Sequence, residues 1–137
     1  MYRYKAKITK VIDGETFVLD VDLGFSIHRH ITAKLLRVQV PNALSQDKSE
    51  SILGDICKTY ADAEFTGLEV MIVSNKDRTV NGPGHYRLDI ILPNGRSVEW
   101  TYNQLGINKY APNYSEDHVR DLGKRLIEET RKGEGGI

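Results

Sequence analysis

The chain has 137 residues, with 19 basic and 19 acidic residues and therefore no formal net charge. This length suits one domain with a substantial core, and zero net charge argues against non-specific binding to long nucleic acid, which usually needs a basic face. The single cysteine, Cys57, excludes an internal disulfide and is expected to be a small buried side chain. The sequence has neither a signal-peptide pattern nor an apolar run of ~18 residues. We therefore expect a protein without membrane contact that is cytoplasmic or virion-associated and not secreted.

A β-hairpin is predicted at the start of the chain. Polar and apolar residues alternate over 3–12, which places Tyr4, Ala6, Ile8 and Lys10 on one face. The dipeptide Asp13-Gly14 is a turn signal, because glycine reaches positive φ at low cost and aspartate hydrogen-bonds the nearby backbone. The alternation then resumes in a second strand.

The remaining patterns complete an order of three strands, a helix, two strands and two helices. The expected ranges are 15–22, 31–40 (ended by Pro41), 68–74 and 85–92 for strands two to five, 96–98 for a short return strand, 99–105 for a short helix ended by Gly106, and 115–132 for the last helix, before a frayed tail over 133–137. A helix between the third and fourth of five strands is the OB-fold arrangement. We expect an α+β, mainly β fold: one domain over 1–132 built on a five-stranded OB-fold barrel with about three helices.

Two of the helices have recognisable ends and faces. The first helix is expected to be capped by Ser45 or Ser49 and to present Ile52, Ile56 and Tyr60 on its apolar face. Leu53 and Cys57, beside these three residues, belong to the same apolar face, and Gly67 is placed to stop the helix. The inner face of the last helix is expected to comprise Val119, Leu122, Leu126 and Ile127.

Several of these segments, in order and at compatible spacing, resemble the staphylococcal nuclease (thermonuclease) family. The segment KITKVIDGETFVLDVDLGF…AKLLRVQVP is similar to the family's VxDGDTxxL and RLxxxDxPE motifs, and LPNGRSVEWTYNQLG is similar to a later segment. The resemblance covers roughly residues 4–130, and the DLGF hairpin looks like phage-encoded members. It implies an OB-fold barrel that cleaves phosphodiesters with Ca²⁺, a carboxylate base and two arginines, since hard Ca²⁺ needs oxygen ligands and arginine clamps phosphate oxygens.

Most catalytic positions that the resemblance implies are substituted. A metal-binding aspartate matches Glu15, which is the one candidate metal ligand, and the first arginine matches Lys34, which lacks the bidentate fork. A second metal-binding aspartate matches the neutral Gln39. The catalytic glutamate matches Asn42, which cannot act as a base. Asp13 is retained and is expected to organise the turn.

The position of the second arginine depends on the register of the fifth strand. Counting from the Asn94-Gly95 turn places Tyr86 there. Arg87 could replace it only by a one-residue slip, which is expected to turn its side chain to the opposite face. The degenerate positions Glu15, Lys34, Gln39, Asn42, Tyr86 and Arg87 therefore retain little of the chemistry that the resemblance implies.

Other residues are candidates for ligand contact. His28-Arg29-His30 has the HxH spacing of a metal chelate, with His85 or Asp20 as a further ligand, although an exposed hairpin edge or a partner contact is the favoured interpretation. Arg37, by strand parity with Gln39, is a candidate for phosphate or carboxylate contact, with a surface ion pair as the alternative. Tyr110 and Tyr114 could stack on a nucleotide, or they could be core-edge or interface anchors. The phosphates of such a nucleotide could be contacted by Lys34, Arg37 and Arg87.

Two functions follow from different classes. The first is a catalytically degenerate nuclease-like domain that acts as a binding or structural module through protein contacts in a phage-encoded or other intracellular assembly, without a cofactor and with nucleic acid as a possible partner. The alternative is a weak Ca²⁺-dependent endonuclease or phosphodiesterase on DNA or RNA that uses Glu15, Lys34 and a shifted Arg87. Losing a general base alone costs about 10²–10⁴-fold in rate, which favours the first.

Overall fold

A computed structural model describes residues 2–79 and 85–135. Its elements are β1 (Tyr2–Asp13), β2 (Thr16–Asp22), β3 (His28–Leu35), α1 (Lys48–Phe65), β4 (Glu69–Thr79), β5 (His85–Ile91), α2 (Val98–Leu105) and α3 (Glu116–Gly135). The strands form a closed barrel in the order β1-β2-β3-β5-β4. The pair β3–β5 is parallel and the other four pairs are antiparallel. The predicted OB-like α+β fold, with its helix between β3 and β4, is confirmed.

A bulge in β1 changes which residues face the core. The pairing of β1 with β2 shifts between Ile8 and Lys10, and a bulge re-aims the residues that follow it. The buried residues of β1 are consequently Ala6, Ile8 and Val11, whereas Lys10 is exposed. The prediction that Lys10 shares the face of Ile8 is wrong, because simple alternation does not survive the extra residue.

β3 ends at Leu35, five residues before the predicted end. Arg37 has a φ of 56°, which is incompatible with a continuing strand. Val38 and Val40 are nevertheless buried, because the buried amide of Asn108 fixes this loop: its Oδ1 accepts from Gln39 N at 3.1 Å and its Nδ2 donates to the Arg37 carbonyl at 3.0 Å. Alternating burial here reflects a loop held by a side chain. Arg37 and Gln39 are both exposed, but the strand on which their predicted parity rests has already ended.

The buried face of α1 contains Leu53 and Cys57, as predicted, but its cap differs and Ile52 is not part of it. Its N-cap is Asp47, whose carboxylate accepts from Ser49 N at 3.0 Å, so neither Ser45 nor Ser49 is the cap. The buried positions are Leu53, Gly54, Cys57, Ala61 and Phe65. Ile52 is 55% exposed, while Ile56 and Tyr60 pack at the edge of the core. The face follows the i, i+4 series from Leu53 instead of the series from Ile52.

The last two helices follow β5 closely. Ser97 caps α2 through its hydroxyl and forms an isolated bridge with Ile91, so the predicted return strand over 96–98 is reduced to one bridge. Val119 and Leu122 of α3 are buried as expected, but Ile127 is 57% exposed and does not belong to the inner face. α3 continues to Gly135, past its expected end at residue 132; residues 136–137 of the expected tail lie outside the described residues. No helix in the described ranges is long and apolar enough to cross a membrane.

The barrel has two different ends. At the turn end, the Asp13–Thr16 turn lies against α1 and α2, where Tyr102 Oη donates to the Gly14 carbonyl and an added Cβ at Gly14 would meet Cys57. At the hairpin end, the β2–β3 hairpin projects beside the mouth of the barrel, where described residues line a depression of about 280 Å³. The seven residues of β2 separate the two ends by about 20 Å.

Candidate functional site

Three hydrogen bonds fix the Asp13–Thr16 turn and with it Glu15. Asp13 Oδ1 accepts from Glu15 N at 2.9 Å, which confirms the turn-organising role predicted for Asp13. The buried Tyr102 hydroxyl donates to the Gly14 carbonyl at 2.6 Å, and Leu35 N donates to the Glu15 carbonyl at 3.0 Å. The backbone on both sides of Glu15 is therefore held, which sets the position of its half-buried side chain.

Lys34 and Arg87 lie side by side next to this turn. Lys34 pairs with Thr16 of β2 on one side and with Arg87 of β5 on the other. Paired residues of neighbouring strands point to the same face, so Arg87 shares the outer face with Lys34. The expectation that Arg87 points away is wrong.

Tyr86 lies elsewhere. It pairs with the buried Ala33, and the guanidinium carbon of Arg29 is 5.8 Å from its ring centroid at the hairpin end. Counting from the Asn94-Gly95 turn therefore selects the wrong residue of the Tyr86–Arg87 pair for the site.

The electrostatics of Glu15 describe a carboxylate among cations. Burial, assisted by the charge of Asp13, raises the pKa of Glu15, while Lys34, Arg87 and Lys109 oppose that rise. Within the described ranges, Lys34 and Arg87 form neither a hydrogen bond nor a close ion pair. The turn end thus presents two cationic side chains with unused donors beside one partly desolvated carboxylate.

Sequence reasoning missed an ion pair at this end. Lys109 Nζ contacts Glu50 Oε1, which also accepts from Asn42 N at 3.1 Å. Lys109 N donates to the Gln39 carbonyl at 2.7 Å, and the hydrogen bond from Lys109 is the largest cause that lowers the pKa of Glu50. Residues 50 and 109 are 59 positions apart, and no local pattern could have paired them.

The side chains of Gln39 and Asn42 are not part of the charged group around Glu15. Both are exposed, and Asn42 Oδ1 accepts from Leu44 N at 2.9 Å, which closes a local turn. The single cysteine, Cys57, is fully buried, and burial raises its pKa to about 12. Cys57 is therefore an inert core residue, as predicted.

The residues present do not fit a Ca²⁺ site. Ca²⁺ takes six to eight oxygen ligands, with carboxylates providing the negative charge. Across residues 2–79 and 85–135, no group of three or more His, Cys, Asp or Glu side chains could hold a metal ion. Glu15 lies among cations, and Glu50 is held by Lys109.

The HxH segment lies at an exposed edge. His28 and His30 are both exposed, and His28 Nδ1 is 3.3 Å from Asp20 Oδ1. This contact brings one histidine and one carboxylate together but gives no metal cluster within the described part of the chain. The side chain of His85 lies outside the described side chains.

Arg37 is engaged in ion pairs. Its Nη2 lies 2.9 Å from Asp89 Oδ2 and 3.1 Å from Glu99 Oε2, and its Nε donates to both oxygens of Glu99. These hydrogen bonds raise the pKa of Arg37. Of the two interpretations of Arg37, the structure shows the surface ion pair.

The two tyrosines of the loop before α3 differ. Tyr110 is 66% exposed and borders a shallow depression of about 500 Å³ together with Arg37 and Glu99. Tyr114 packs against the core, where burial raises its pKa while Lys109 opposes the rise. Tyr110 is thus accessible to a ligand, whereas Tyr114 is a core-edge residue next to the Glu50–Lys109 pair.

Comparison with known proteins does not identify a family for this chain. Neither the models of protein families nor the curated proteins contain a match to this chain. The resemblance to the staphylococcal nuclease family therefore stays a prediction from the motifs.

Proposed function

We propose that this domain is a catalytically degenerate, nuclease-like binding module that holds an anionic group of a protein partner at the turn end, within a phage-encoded or other intracellular assembly. The observation that carries the proposal is the pair Lys34–Arg87. Both side chains lie on one face, beside a desolvated carboxylate, with no hydrogen bond or close ion pair inside the described ranges. An arginine fork next to a lysine ammonium suits a carboxylate or a phosphate.

The same end is poorly suited to cleavage. A hydrolytic site needs a base, and the residue aligned with the family's catalytic glutamate, Asn42, uses its side chain in a turn. The neighbouring carboxylate of Glu50 is bound by Lys109 and Asn42 N, which leaves it no role as a base. Binding without bond breaking needs neither a base nor a metal, so it is the chemistry that these residues support best.

Charge favours a protein over a nucleic acid as the source of the anion. The chain has no formal net charge, whereas affinity for nucleic acid rests on several simultaneous phosphate contacts. Two cations beside Glu15 can hold one anionic group but give little attraction to a long polyanion. An acidic side chain of a partner protein is the matching ligand.

A weak Ca²⁺-dependent phosphodiesterase is the second candidate function. The observation that favours it is the position of Arg87, which lies beside Lys34 and close enough to affect the pKa of Glu15. Two cations could thus hold a phosphate there. The donor set for the metal remains incomplete, which ranks this candidate second.

Calorimetric titration with three probes tests both candidates: an Asp- and Glu-rich peptide, a single-stranded DNA oligonucleotide, and Ca²⁺ with a parallel cleavage assay on DNA and RNA. We expect saturable binding of the peptide that weakens about tenfold in Arg87→Gln, the loss of one charge-assisted contact. Lys5→Gln, which removes an exposed cation from β1, is the matched control and should bind as the unchanged chain does.

Each other result would displace the proposal. Cleavage that is abolished by Glu15→Ala and by a chelator would establish the second candidate. Tighter binding of the oligonucleotide than of the peptide would make nucleic acid the partner. No binding of any probe by a folded sample would leave Lys34 and Arg87 without a ligand role.

A further inference from the structure

We propose that two copies of this chain associate through their hairpin ends, each inserting Phe25 into the barrel mouth of the other. This surface lies at the opposite end of the barrel from Glu15, so the inference does not rest on the proposed function. Three features of the hairpin end support it: a projecting aromatic side chain, a depression large enough to hold that side chain, and a basic and an acidic residue that could pair between two copies.

Phe25 is placed where neither its backbone nor its surroundings favour it. It is 98% exposed, although a phenylalanine side chain is strongly apolar. Its φ is 53° and that of the following Ser26 is 61°, values that glycine and asparagine adopt far more readily. The hairpin also exposes Leu23 and Ile27, by 43% and 55%. Contiguous exposed apolar side chains of this kind are typical of a surface that is covered by a partner.

The barrel mouth offers a site of suitable size and chemistry. The depression has a volume of about 280 Å³ and is lined by Tyr4, Val21, Ile31, Tyr86 and Leu88, among others. An apolar cavity of about 150 Å³ is enough to hold a benzene ring. A phenylalanine side chain can therefore enter the mouth, where it would meet aromatic rings from β1 and β5.

The projecting side chain and the depression lie at the same end of one molecule, which favours a second copy as the occupant. A twofold axis through this end would let each Phe25 enter the other mouth, as an isologous interface requires. Charge agrees with this arrangement: Arg29 at the rim has no carboxylate partner among the described residues, and the exposed Asp22 on the neighbouring strand accepts only from Gly24 N. Each Arg29 can therefore pair with the other copy's Asp22. With no formal net charge, two copies do not repel each other.

The size of this surface predicts weak association. Tyr2, Leu23, Phe25 and Ile27 together expose on the order of 500 Å² at this end. A standard interface buries about 800 Å² per partner, and smaller ones are weak and transient. We therefore expect a dimer that forms in the micromolar range or above and is populated only at high protein concentration.

Sedimentation equilibrium over about 1 µM to 1 mM tests the inference. We expect a monomer–dimer equilibrium whose dissociation constant rises at least about 30-fold in Phe25→Ser, the least effect of an interface hot spot. Leu44→Ser is the matched control, because Leu44 is 91% exposed and lies in the loop before α1; it should leave the equilibrium unchanged. Arg29→Glu should weaken the dimer, and the double variant Asp22→Arg/Arg29→Glu should restore it.

Three results would overturn the inference. First, a chain that stays monomeric over the whole concentration range would show that no dimer forms. The hairpin end would then be open to another occupant, such as an apolar peptide or a lipid surface. A dimer that persists in Phe25→Ser uses another surface. Equal loss in Leu44→Ser would show that exposed apolar area in general drives association, without insertion of Phe25.

Discussion

The two ends of the barrel differ in how their side chains are held. At the turn end, polar and charged groups are brought together and held by long-range contacts, as in the Tyr102–Gly14 hydrogen bond and the Lys109–Glu50 pair. At the hairpin end, Phe25 is left in solvent on a left-handed backbone. This fold therefore fixes its polar site by internal contacts but leaves an apolar surface exposed to solvent. Substitutions that break the internal contacts of the turn end should therefore lower stability, whereas substitutions that relieve the left-handed backbone of the hairpin should raise it.

Gly54→Ala at the turn end should destabilise the protein more than any other substitution considered below. A Cβ on Gly54 would lie 2.2 Å from Ala43 N and 2.5 Å from the Asn42 carbonyl carbon, both backbone atoms. The loop that carries Asn42 would have to move, so we expect a loss of about 3 kcal/mol or more, the upper range for overpacking. Thermal or urea unfolding measures it. Gly123→Ala is the control, since its Cβ would meet only side-chain atoms of Ile56, the nearest being the terminal Cδ1 at 2.9 Å, and a change within about 1 kcal/mol is expected.

Tyr102→Phe should cost about 1–3 kcal/mol, because the buried Gly14 carbonyl loses its side-chain donor while the ring still fills the core. Urea unfolding gives the value. Tyr110→Phe removes a hydroxyl from a tyrosine that is 66% exposed and should change stability by less than about 0.5 kcal/mol. Equal costs for the two variants would contradict the tight fixation of the turn end.

At the hairpin end, the double substitution Phe25→Asn/Ser26→Gly should stabilise the monomer by about 1 kcal/mol, since both positions have positive φ. Unfolding must be measured in dilute protein, so that association does not contribute. Leu44→Asn serves as the control, because it removes an apolar side chain that is 91% exposed at a position without a positive φ. A loss of stability in the double variant would show that Phe25 already contributes to the isolated fold.

The smallest effect is the pH dependence of Glu15→Gln. Since the folded state raises the pKa of Glu15, ionised Glu15 lowers stability above that pKa, and the cost disappears below the ordinary value of 4.5. The variant should therefore be slightly more stable at pH 7 and equal below about pH 4.5.

Glu50→Gln gives the opposite sign, because Lys109 lowers the pKa of Glu50. The Glu50 carboxylate contributes stability that is present above pH 4.5 and is lost as pH falls through its lowered pKa. Urea unfolding at several pH values measures both variants. The same sign for both would contradict the electrostatic description of the turn end.

Sequence patterns predicted what local residues determine. The Asp13-Gly14 turn, the order of the elements and the end of α2 at Gly106 all follow from nearby side chains. The end of β3 could not be predicted from the pattern. Val38 and Val40 alternate with polar residues as in a strand, but the positive φ of Arg37 and the contacts of the distant Asn108 make this segment a loop.

The candidate site was only partly accessible from sequence for the same reason. Glu15 and Lys34 were found from their motifs, but Arg87 was assigned to the wrong face because the register of β5 depends on its parallel pairing with β3. Glu50 and Lys109 meet only in the folded chain. What local chemistry determines can be predicted from this sequence, and what tertiary pairing determines cannot.

The Tyr102–Gly14 hydrogen bond also has a consequence for the order of folding during synthesis. It joins residues 88 positions apart, and such distant contacts form slowly because a long loop must close first. As the chain leaves the ribosome, β1, β2 and β3 can pair while β1 and β3 keep one unsatisfied edge each, until β4 and β5 arrive. A nascent chain ending at Leu92 would contain all five strands and still lack the hydroxyl that holds Gly14.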